Sequence, residues 1–109
     1  MTLTFEFASF TVREGEEGSL VAERPAMIAA LNEAFPGLIA AWLTKQDDGT
    51  WIDTILWETR AAAEDAAAGV NDVAEARQWF SHIASSLGLR HAEVLHAEIM
   101  DATALKYAL

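Results

Sequence analysis

Few residues of this 109-residue chain are of a type and spacing that could do chemistry. Asp53 is the most suggestive. In the run from Trp51 to Trp57 the period-two alternation of a strand puts Asp53 on the same face as both tryptophans. A carboxylate among aromatic rings is poorly solvated and can act as a general acid or base. Solvation at a sheet edge, or a hydrogen bond from a backbone amide, are the other readings of the same position. Trp57 stands where a strand turns into a helix, a common place for a pocket wall, and equally suits a core aromatic. Trp79 borders an apolar helical stripe, where it either overhangs a cleft between helix and sheet or simply packs.

The three histidines give weaker signals. At about 100° per residue His82 falls nearly opposite Phe80 on a helix, so it is expected to face solvent. His91 and His96 have opposite parity on a last strand and cannot chelate one ion from a regular strand. With no cysteine in the chain, disulfides, thiolate metal sites and cysteine nucleophiles are excluded, and no metal site is expected. His96 beside Glu98 reads as a satisfied polar pair pointing into a dimer interior. Gly15 to Gly18 lacks the lysine of a phosphate-cradling loop. Ser81, Ser85 and Ser86 fall in no nucleophile motif. Glu14, Glu16, Glu17, Glu64, Asp65, Asp72 and Glu75 read as solvated turn and helix faces.

These residues need a frame to hold them. Phe, Thr and Val from Thr2 to Val12 predict a first strand, with Leu3, Phe5 and Phe7 on one face and Glu6, Ala8, Phe10 and Val12 on the other. Apolar spacing from Ser19 predicts a helix, kinked or restarted at Pro25, that stops before Pro36-Gly37. Leu38 to Thr44 and Trp51 to Thr59 read as two strands joined by a hairpin, with Asp48-Gly49 supplying the positive-φ position. Ala61 to Ala68 begins a helix that Gly69 interrupts; Asn71 or Asp72 caps a second segment running to Leu87. Gly88 ends it, and Leu89 to Met100 is the last strand. The tail from 101 to 109 is left unassigned. This β-α-β-β-α-β order predicts one α+β domain spanning the chain, ferredoxin-like, with an antiparallel sheet and both helices on one face. The other face also carries apolar residues, which a second copy of the sheet would bury, so a homodimer is expected.

Bulk composition agrees. Apolar residues make up 52% of the chain, enough for a real core. A formal net charge of −10 argues against nucleic acid and against an anionic membrane surface as partners. The N-terminal residues lack the basic region of a signal peptide, and no apolar run approaches a bilayer span, so a soluble, cytoplasmic protein is expected.

Phe35-Pro-Gly-Leu before an apolar strand, Asp48-Gly-Thr-Trp-Ile-Asp53 in the hairpin, and Leu56-Trp-Glu-Thr59 leading into an Ala-rich helix resemble the antibiotic biosynthesis monooxygenase superfamily. The resemblance runs from about Phe5 to about Met100, with its texture nearest an uncharacterised branch. It implies a dimeric α/β barrel. In characterised branches it implies oxygenation of an electron-rich phenol, anthrone or quinol without a bound metal or flavin, so no cofactor is expected. Trp57, Trp79 and Phe7 would then line a pocket for a small aromatic ligand between sheet and helices, with Asp53 as acid or base. A haem-degrading branch uses a strand-one asparagine, a tryptophan after the third strand and a helix histidine. Trp57 fits that pattern, but strand one holds no amide residue and His82 lies too far along the chain. The rival readings are a non-catalytic ligand-binding or structural homodimer, and an isomerase or lyase on the same fold.

Overall fold

The computed structural model describes residues 2–106. The elements run β1 (Thr4–Val12), α1 (Glu17–Ala34), β2 (Leu38–Lys45), β3 (Trp51–Trp57), α2 (Arg60–Gly69), a single 3₁₀ turn (Val70–Asp72), α3 (Ala74–Phe80), β4 (Ile83–Glu93) and α4 (Ala102–Lys106). The four strands form one antiparallel sheet in the order β2-β3-β1-β4. The fold is therefore the expected α+β, ferredoxin-like arrangement.

Local chemistry explains most boundaries. Gly49, at φ +89°, turns the β2–β3 hairpin, and the Asp48 carboxylate accepts from the backbone N–H of Thr50 at 2.9 Å. The Thr59 hydroxyl accepts from the Ala62 N–H at 3.0 Å and starts α2. A Cβ on Gly37 would lie 2.7 Å from the Ala62 side chain, so only glycine lets the start of β2 pass this close to α2. Pro25 neither ends nor restarts α1, which is one helix of 18 residues. Leu20, Arg24, Met27 and Leu31, all buried along one side, hold the helix to the sheet through the residue that lacks an N–H.

The third helical region departs from expectation. α3 ends at Phe80, and Ile83 to Leu87, read from sequence as the end of a helix, instead begin β4. Their apolar spacing suits a helix only by coincidence. β1 extends to Val12 and offers its ladder, and Val12 pairs with Ile83, Thr11 with Ser85 and Phe10 with Ser86. Gly88, expected as a helix stop, lies inside the strand opposite Ser9 at φ +134°, next to a register shift. The last strand stops at Glu93, so 94–100 are irregular, and residues 102–106 of the unassigned tail form a short helix.

Two apolar clusters lie between the sheet and the helices. Phe10, Leu20, Met27, Leu31, Trp51, Ala76 and Trp79 form one; Ile55, Trp57, Ala63 and Ala66 form the other, and Phe35 and Leu38 touch both. Phe5, Phe7, Trp42 and Leu56 occupy the opposite face of the sheet, where Phe5 stacks on Phe7 at 5.8 Å between ring centres.

Candidate active site

At the seam between the two clusters lies a cavity of about 190 Å³. Met27 and Leu31 of α1, Ile55 and Trp57 of β3, Phe80 of α3 and Leu89 of β4 supply apolar walls. α2 closes the cavity with Ala66 and Ala67, and these one-carbon side chains leave the space open. Against this lining stand two carboxyl side chains, Glu6 from β1 and Asp53 from β3. Strand alternation brings them together: Ala8 pairs with Asp53 and Glu6 with Ile55, so both acids project from the helix side of adjacent strands.

The two acids are treated differently. Asp53 is held by Arg24 of α1 in a two-pronged pair, Nη1 donating to Oδ2 at 2.8 Å and Nη2 to Oδ1 at 2.6 Å. The guanidinium in turn lies over the Trp79 ring, 5.2 Å from its centre, and the Trp79 indole N–H donates to the Leu20 carbonyl at 2.7 Å. Both oxygens of Asp53 are thus engaged, and both residues of the pair are buried. Among the described residues Glu6 has only the ring of His91, its cross-strand partner on β4, at 3.3 Å from Nε2 to Oε1. Burial pushes the Glu6 carboxyl above the usual carboxylate range; the hydrogen bond and charge of His91 work against this, and the charge of Asp53 adds to it. A carboxyl moved toward neutrality beside an apolar cavity is suited to exchange a proton there.

The expected site residues separate. Asp53 and Trp57 meet at the cavity. Trp57 is fully buried, and its indole N–H has no acceptor among the described residues. Trp79 lies behind Arg24, where it braces the ion pair, and does not line the cavity. Phe7 does not line it either: its neighbours Glu6 and Ala8 do, so its own ring projects from the far face, with Arg90 over it at 5.8 Å. Assigning Phe7 to a pocket between sheet and helices contradicted the parity of its own strand.

The histidines also move. His82 follows α3 instead of riding on it, and its side chain is 9% exposed rather than solvent-facing. Nδ1 meets Glu16 at 2.8 Å and Nε2 meets Glu23 at 2.9 Å. The hydrogen bond to Glu16 chiefly raises its pKa, with partial burial opposing and Glu23 reinforcing. His96 lies beyond the end of β4, largely exposed, with its ring 3.0 Å from Glu98. No three histidine or acidic side chains among the described residues gather as a metal site would require.

Glu6 and Arg24 are not among the site residues expected from sequence, where His91 is weighed only as a metal ligand, although the first two carry a signal. Glu6 is a lone charge among Ala8, Phe10 and Val12 on one face of a covered strand. Arg24 interrupts the apolar spacing of Leu20, Met27 and Leu31. Each is a charge at a buried position, which demands a partner. His91 could be matched to Glu6 only once the register of β4 was known.

No protein-family model matches the sequence, and no curated protein matches it. Solved structures do match in shape. SnoaB from Streptomyces nogalater, described as a cofactor-independent oxygenase, superposes with a TM-score of 0.64 at 14% identity, over 92% of this chain and 98% of that one. A provisionally assigned antibiotic biosynthesis monooxygenase from Chloroflexus aurantiacus gives 0.62 at 8% identity, over 91% and 99%. A protein of unknown function from Nitrosomonas europaea gives 0.65 at 18% identity, over 94% and 98%. At such identities the likeness is one of fold. The chain has the ferredoxin-like fold of the antibiotic biosynthesis monooxygenase proteins.

Proposed function

We infer that the chain binds a small, flat, mostly apolar molecule of phenol, anthrone or quinol type in this cavity and oxygenates it with dioxygen, using no resident metal or flavin. The observation that carries this reading is an apolar cavity into which a carboxyl group with a raised pKa is built. Such a reaction asks little covalent chemistry of the protein. Loss of the hydroxyl proton makes the ring electron-rich enough to reduce dioxygen. One oxygen atom is retained on a ring carbon, whose C–H bond breaks, and the other, released as the O–O bond breaks, leaves as water. The protein contributes water exclusion, orientation and a proton acceptor. In this reading the Trp57 N–H, which has no acceptor among the described residues, donates to an oxygen of the ligand. The shared fold with an oxygenase supports the reading without fixing it.

A second copy of the chain is assigned to the sheet face bearing Phe5, Phe7, Trp42 and Leu56, which α1, α2 and α3 leave uncovered. A solely monomeric species in native mass spectrometry would remove that pairing. The activity itself is tested by oxygen uptake with a panel of phenols, anthrones and quinols. Uptake of one dioxygen per molecule of quinone formed is expected from at least one of them. Binding without uptake would leave a ligand-binding protein, and neither binding nor uptake would sink the reading.

A further inference from the structure

We propose that Glu6 is the proton acceptor of the cavity, held in place by His91, and that the pair selects a neutral ligand with a weakly acidic hydroxyl over an anionic one of the same size. This rests on the reading that the cavity takes a small aromatic molecule, and adds to it the residue that acts and the charge class admitted.

The groups facing Glu6 from each element packed against it carry the case. From β3 comes Asp53, whose two oxygens are closed by Arg24 of α1 at 2.6 and 2.8 Å. That pair is neutral as a unit, both carboxylate oxygens are taken, and the guanidinium does not line the cavity. From β4 comes His91, at 3.3 Å, with both side chains of the pair only 12% exposed. α2, the 3₁₀ turn and α3 present Ala66, Ala67, Val70 and Phe80, which bring no charge. A ligand anion entering this space would meet the Glu6 carboxylate, whose neighbour His91 is already bound to it, and like charges at short range repel. A neutral hydroxyl adds no charge. Its O–H bond breaks, the electron pair stays on the ligand oxygen, and the proton forms a new O–H bond on Glu6. The total charge of the cavity is unchanged by the step.

His91 acts on the ligand only through Glu6. Its ring meets one carboxyl oxygen, Oε1, and the second has no hydrogen-bond partner among the described residues.

The test uses two probes of similar size on the whole protein: 4-nitrophenol, whose ionised form has its own absorption band, and 4-nitrobenzoate, an anion at working pH. Bound nitrophenol is expected to show the ionised band at a pH where the free dye is mostly un-ionised. Nitrobenzoate is expected to bind roughly tenfold less tightly or worse. In Glu6→Gln the ionised band of the bound dye should vanish while the dye still binds, and the discrimination against nitrobenzoate should shrink. His91→Leu should move the pH at which the band appears upward, and His91→Gln, which keeps the hydrogen bond, should restore it; a merely structural histidine would leave that midpoint in place. If bound nitrophenol ionises equally in Glu6→Gln, or is never ionised, Glu6 is not the acceptor and the proposal falls while the ligand class stands. Should neither dye bind, the reading of the cavity falls and this proposal with it.

Discussion

Two carboxyl groups reach the same cavity from neighbouring strands, and the fold handles them in opposite ways. Asp53 receives a guanidinium on both oxygens, and that guanidinium is itself braced by Trp79. Glu6 receives one long bond from a histidine and is left with an oxygen free. Burial costs both groups their water, but only Asp53 is given a full replacement for it. The difference separates structure from function within a few ångströms. The satisfied acid ties α1 to the sheet, and the under-satisfied one keeps chemical freedom.

Breaking the Asp53–Arg24 pair should have the largest effect. Asp53→Ala leaves the Arg24 guanidinium buried without a counter-charge, and should destabilise the fold by about 3–5 kcal/mol in urea unfolding. Replacing both partners at once, as Arg24→Met with Asp53→Leu, should recover most of that loss, because no orphaned charge remains. A double variant as unstable as the single one would show that Arg24 and Asp53 do not act as a pair. Recovery in the double variant would mark Asp53 as the partner of Arg24 and not the acid or base suggested by its place among tryptophans.

Glu6 should respond with the opposite sign. Its pKa in the fold lies above that of the unfolded chain, mainly through burial. A carboxyl shifted this way favours folding fully only below its unfolded pKa, about 4.3, and that contribution is lost as pH rises through the folded value. At neutral pH the ionised Glu6 is therefore a burden on stability. Glu6→Gln, which keeps an acceptor for His91, should stabilise the protein by about 1 kcal/mol near pH 7, and the gain should close below about pH 4. Unfolding curves of the two proteins at both pH values check this. Equal stability at pH 7 would mean that Glu6 is as well satisfied as Asp53, and the contrast between them would disappear.

The sequence carried the frame of this site better than its occupants. The β2–β3 hairpin was legible because Asp48-Gly49 and the alternation from Trp51 to Trp57 are local signals, and they place Asp53 and Trp57 on the inner face without reference to the rest of the chain. β4 was not legible from Ile83 to Leu87, because its strand conformation is imposed by β1 and not by its own spacing. That error misplaced His82 on a helix surface. His91 stood on the expected strand, but its meaning depends on a cross-strand register that no local signal gives. The pairing of Arg24 with Asp53 spans 29 residues and depends on how α1 lies over the sheet, so only the charge at a core position hinted at it.

His82 sharpens the contrast from outside the cavity. There one histidine is held by two glutamates, whereas at the cavity one glutamate is held by one histidine. Glu16 precedes α1 and Glu23 lies within it, so the ring ties the first half of α1 to the loop that leads into β4. Both partners are more than a third exposed, so water weakens each contact. The histidine pKa is raised, first by the bond to Glu16. Its contribution to stability is complete below its ordinary value of about 6.5 and is lost as pH climbs through the higher folded value. The effect should be the smallest of the three, about 0.5 kcal/mol for the two solvent-screened pairs together. Thermal unfolding followed from pH 6 to pH 9 should show a decline in the native protein that His82→Gln lacks. A decline of equal size in both would assign the pH dependence to other groups and leave His82 as a neutral hydrogen-bonding strut.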